Sequence, residues 1–86
     1  MDQDHVFYLV DIAEACDTHS GCVVSMHRSE ARAKEARARL INKTNTHHEH
    51  PAWQRLRIAK MRRISKVGPG QLLPVVHDPG AATQWF

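Results

Sequence analysis

Between Trp53 and Lys66 stand six cations in fourteen residues, Arg55, Arg57, Lys60, Arg62, Arg63 and Lys66, with no acid among them. Such a stripe can neutralise phosphates, and an aromatic ring at its start can stack on a base. Arg28, Arg32 and Arg39 extend the basic surface if they share a side with the stripe. The partner this implies is a nucleic acid or an acidic protein. The same stripe has a second reading, in which Asp11 and Glu14 of a neighbouring strand pair with part of it and solvent screens the rest.

Histidine is the next residue type that could do chemistry, with seven in the chain and three of them in His47-His48-Glu49-His50. Cys16, His19 and Cys22 are spaced so that three metal donors sit around one turn, and one loop histidine would complete a four-ligand zinc site. The alternative is solvated imidazoles and two ordinary thiols, since the chain has no Cys-x-x-Cys unit. The acids near Cys16 and Cys22 are expected to raise a thiol pKa, which argues against a cysteine nucleophile. Gly68-Pro69-Gly70 is a turn and lacks the Lys-Ser/Thr of a phosphate loop.

These residues must be carried by one modest core. The chain has 86 residues, 42% hydrophobic and 24% charged, which is ordinary globular composition and reads as a single domain over residues 1–86. No apolar run approaches the ~20 residues that span a bilayer, so no membrane partner is expected. The acidic start lacks the features of an export signal, and two cysteines do not make a disulfide framework, so a cytoplasmic location with reduced thiols is expected. The net charge of +3 conceals a division. Residues 1–27 carry five acids and no Lys or Arg, whereas residues 28–66 hold all 12 cations against three acids.

Periodicity supplies the elements. Val6 to Ala13 alternates with Val6, Tyr8, Val10 and Ile12 on one face and Phe7 and Leu9 on the other, which predicts a central strand. Asp17 to Gly21 is turn chemistry and Cys22 to Met26 resumes a β pattern, so the two runs form a hairpin. Ser29 is a good N-cap for a helix from Glu30 to Lys43, with Ala33, Ala36 or Arg37, Leu40, Ile41 and Thr44 on its inner face. Glu30–Lys34 and Glu35–Arg39 fall at i, i+4.

Asn42 to Pro51 reads as a loop. For residues 53–64 a strand with a bulge fits better than a helix, because helical spacing would scatter the apolar residues around the axis. Leu72 to Val76 reads as a short edge strand. The expectation is an α+β domain of ββαβ(β) pattern, an antiparallel sheet of order 2-1-3 with one helix on one face. Residues 5–66 form its core and 67–86 a turn-rich extension. Leu72, Leu73, Val75, Val76, Trp85 and Phe86 either close that core or form the interface of a homodimer.

Two resemblances add to this reading. His47-His48-Glu49-His50-Pro51-Ala52-Trp53 is similar to the His-His-Pro-x-Trp motif of pterin-4a-carbinolamine dehydratases, with Glu49 interrupting it. His77-Asp78-Pro79-Gly80 resembles that family's later His-Asp-x-Gly segment. The resemblance implies an enzyme in which His48, His50 and His77 converge on a pterin and shuttle protons. Over residues 5–66 the pattern resembles small phage- or prophage-encoded accessory proteins, carried by Phe7-Tyr8-Leu9-Val10, Cys22-Val23-Val24 and Ser29-Glu30-Ala31-Arg32-Ala33-Lys34-Glu35-Ala36. That resemblance implies a binding protein without catalysis, and it takes precedence, with the pterin enzyme and a zinc-stabilised domain as alternatives.

Overall fold

The computed structural model describes residues 5–43, 52–75 and 83–86. The chain forms strand β1 (His5–Asp11), a 3-10 turn (Ile12–Glu14), β2 (His19–His27), helix α1 (Glu30–Lys43), the single turn α2 (Ala52–Arg55), β3 (Leu56–Arg62), β4 (Leu72–Pro74) and β5 (Gln84–Trp85). The strands make one sheet of order β4-β2-β1-β3-β5 in which every pairing is antiparallel. β1 is central because both its faces are apolar: Tyr8, Leu9 and Val10 are all fully buried.

The period of two divides these residues between two cores. On one face Leu9, Leu56 and Ile58 pack with Ala33 of α1, joined by the half-buried Phe7, Val24, Ala36, Leu40 and Ile41. Alanine at position 33 lets the helix lie close, and Ser29 caps it by accepting a hydrogen bond from the Arg32 amide at 3.2 Å. On the other face Val6, Tyr8, Val10, Val23, Ala59, Met61 and Leu73 form a second cluster. No helix covers that face among the described residues. The connection from β3 to β4 crosses it instead, laying Ile64 and Val67 on the cluster. The Ile64 amide donates to the Tyr8 hydroxyl at 3.0 Å, and the Gly70 amide donates to the Val23 carbonyl at 2.8 Å.

The sequence expectation is met at the level of an antiparallel α+β domain with one long helix, and departs from the structure in three places. The sheet has five strands in place of the expected 2-1-3 arrangement, because β4 extends it beyond β2 and β5 beyond β3. Residues 53–64 are not one bulged strand. A helical turn precedes β3, held by Arg37, whose guanidinium donates to the carbonyls of Leu56 at 2.9 Å and Trp53 at 3.0 Å. The bulge lies in the β1–β2 pair, between Leu9 and Val10. β2 also starts earlier than expected, at His19, with Gly21 at φ 133° pressed against the Asp11 carbonyl. Of the apolar tail, Leu73 enters the core and Leu72, Trp85 and Phe86 remain exposed, while Val76 lies outside the described residues.

Candidate functional site

The register of β1 fixes which charged residues share an end of the sheet. Asp11 pairs with Cys22 and Leu56 at one end, and Phe7 pairs with His27 and His5 with Arg62 at the other. The basic stretch is therefore not one patch. Arg55 stands at the Asp11 end, mostly buried, with its Nη1 3.7 Å from the Asp11 carboxylate. Trp53, exposed on α2, is at that same end, about 20 Å along the strand from Arg62 at ~3.3 Å per residue. Arg57 is exposed on the face opposite α1, where it borders an open concavity of about 550 Å³ with Ile12, Ala15, Ser20, Trp85 and Phe86. Lys60 lies over the Phe7 ring, 5.8 Å from its centroid.

At the opposite end the cations converge. Arg28 follows β2, Arg32 sits in the first turns of α1, Arg62 ends β3 and Arg63 follows it; all four are exposed. Two small clefts open here. One, of about 190 Å³, is lined by Val6, Met26, His27, Arg28 and Arg63. The second, of about 160 Å³, lies between β2 and α1 and is lined by His27, Arg32, Glu35, Ala36 and Arg39. His27 belongs to the walls of both.

What sets these arginines apart is that four cations without an acidic partner share one end, whereas Arg57 and Lys66, also without one among the described residues, stand elsewhere. Lys34 is paired with Glu30, Arg39 with Glu35 and Arg55 with Asp11, and Arg37 is spent on backbone carbonyls. Arg28, Arg32, Arg62 and Arg63 have no acidic partner among the described residues. Arg39, grouped with the basic surface on sequence, is at this end but neutralised. Lys66 is exposed on the connection that crosses the second face.

His27 was not singled out by the sequence, because a polar residue at the end of a strand reads as its solvated terminus. Its ring accepts or donates a hydrogen bond with the Ser25 hydroxyl at 2.7 Å, the tautomer deciding which. Partial burial, and then the nearby Arg32 charge, push its pKa below the usual histidine value. A hydroxyl bonded to an imidazole is half of a nucleophile–base arrangement. No carboxylate is hydrogen-bonded to the His27 ring among the described residues, and Ser25 is half-buried on the helix side of the sheet.

The metal donors expected around the first turn are not gathered. Cys16 is exposed, with its sulfur 3.2 Å from the Thr18 hydroxyl, and Cys22 is half-buried with its thiol 3.8 Å from the Val23 carbonyl. Among the described residues no three His, Cys, Asp or Glu side chains come together to hold a metal. The expectation that nearby acids raise the thiol pKa fails for Cys16. Hydrogen bonds from Thr18, side chain first and then backbone, stabilise the thiolate and lower it. His47, His48 and His50, the loop donors, lie outside the described residues, as does His77 of the pterin resemblance. No helix among the described residues is long and apolar enough to cross a membrane. No family model, curated protein or solved structure matches the chain.

Proposed function

We propose that this chain is a non-enzymatic binding module that holds the phosphate backbone of a nucleic acid against the basic end of its sheet. The observation that carries the reading is the set of four arginines, Arg28, Arg32, Arg62 and Arg63, exposed at one end and without acidic partners among the described residues. Unpaired arginines held on strand and helix ends suit bidentate contacts to phosphate oxygens. Trp53 stands at the other end, so the reading rests on backbone contact and not on base stacking. The resemblance to phage accessory proteins supports the same class of activity, binding without catalysis.

Fluorescence anisotropy with duplex DNA, single-stranded DNA and structured RNA tests it across salt. Contacts to three or four phosphates correspond to a slope of log K against log salt of about −2.7 to −3.6, so raising salt from 50 to 200 mM weakens duplex binding by roughly 40- to 150-fold. Charge reversal of Arg62 and Arg32 together abolishes binding while leaving the melting temperature nearly unchanged. Absence of binding to all three nucleic acids at 50 mM salt overturns the reading and turns attention to an acidic protein partner.

A further inference from the structure

The cleft lined by Arg28 and Arg63 differs from the rest of the basic end. It brings an arginine from the end of β2 and one from the end of β3 to a single hollow, with Val6, Met26 and His27 as its other walls. Val6 is buried at the core edge and Met26 packs against the same cluster, so these two walls are apolar, while the half-buried His27 ring adds a polar one. Among the described residues neither arginine has an acidic partner and no acid lines the cleft. The second cleft, by contrast, contains Glu35, which already neutralises Arg39.

From this we infer that the Arg28–Arg63 cleft is a single-phosphate subsite, in which both guanidinium groups grip one phosphoryl group. The inference rests on the reading above for the source of that phosphate, a nucleic-acid backbone, and on the cleft alone for its chemistry. The size of the hollow favours one phosphoryl group. A volume of about 190 Å³ is roughly six water volumes at ~30 Å³ each. It is below the ~300 Å³ at which pockets for whole small molecules begin. No carboxylate among the described lining residues competes with the anion, so both guanidinium groups are available for charge-assisted contacts to phosphate oxygens.

Two arginines on one phosphate leave a signature that two arginines on separate phosphates do not. Each phosphate neutralised contributes ~0.9 to the salt slope of duplex binding. The double variant Arg28→Gln/Arg63→Gln should therefore lose ~0.9 in slope, whereas separate contacts would lose ~1.8. Each single variant should weaken duplex binding by ~10-fold, and the double variant should fall short of the product of the two. Arg57→Gln, at the other end of the sheet, serves as the control and leaves binding unchanged.

Inorganic phosphate alone provides the arm that does not depend on a nucleic acid. Titrated into the full chain and followed by NMR, it should shift the Arg28, Arg63 and Met26 resonances saturably in the wild type and not in the double variant. That outcome supports the subsite even if no nucleic acid binds, in which case the polymer reading fails and the cleft stands. Equal phosphate binding by wild type and double variant overturns the subsite. So does duplex binding whose affinity and slope are unaffected by the double substitution, and that result leaves the broader reading intact. Circular dichroism melts of each variant, expected within 1–2 °C of wild type, establish that the exposed substitutions act on binding.

Discussion

Replacing Tyr8 with Phe removes one oxygen atom from the centre of the molecule and isolates what that atom does. Tyr8 is fully buried in the second core, and its hydroxyl accepts the Ile64 amide at 3.0 Å, fastening the β3–β4 connection to the face that no described helix covers. The ring is kept, so hydrophobic burial and packing are nearly unchanged and the loss is that of the hydrogen bond. A neutral bond of this kind contributes about 1 kcal/mol net, and a donor left dry costs up to ~3 kcal/mol. Ile64 is half-buried, so water reaches its amide in part, and ~1–1.5 kcal/mol is the expected loss. For a domain of this size that is a fall of ~5–10 °C in melting temperature. Thermal melts followed by circular dichroism, with urea unfolding at 25 °C, measure it. Amide exchange should also quicken at Ile64 more than at Val10. A melting temperature within 1 °C of wild type, with Ile64 exchange unaltered, would refute the assignment of Tyr8 as the fastening of that connection.

Two further outcomes follow from other parts of the fold. Gly21→Ala places a Cβ 2.3 Å from the Asp11 carbonyl oxygen at a backbone φ of 133°, so it should destabilise by ~2 kcal/mol or more in urea unfolding, whereas Gly70→Ala meets no atom within 4 Å and suffers only from its φ of 88°. The folded state holds the His27 pKa below its unfolded value, so its neutral form stabilises the fold above about pH 6.5, and that contribution is lost as pH falls through 6.5 toward the folded pKa. His27→Asn should flatten the pH dependence of the melting temperature in that window; an unchanged profile would assign the acid sensitivity to other groups.

How much of this was legible in the sequence depends on the range over which each feature is determined. β1 could be read because alternating residues are apolar on both faces, and α1 because its cap, its alanines and its i, i+4 pairs are all local. The start of β3 was misread because a guanidinium from α1, sixteen and nineteen residues away, holds the preceding turn in place. β5 is two residues long and has no pattern of its own; it exists because β3 offers it an edge. The basic residues were visible as a run, but β3 delivers that run to two ends and two faces, and an acid at one end cancels Arg55. The partners of His27 are close in sequence, Ser25 on its own strand and Arg32 at the start of α1, but neither spacing is a recognised motif.

The strand order also bears on how the protein is made. β1 emerges first and takes the centre; β2 adds to one side and β3 to the other; β4 then joins outside β2 and β5 outside β3. Each new strand meets a free edge of what already exists, and none has to be inserted between two strands already joined. A chain synthesised from its N-terminus can thus assemble its sheet in the order of its translation, with the unfinished edge shifting from side to side until the last strand is laid.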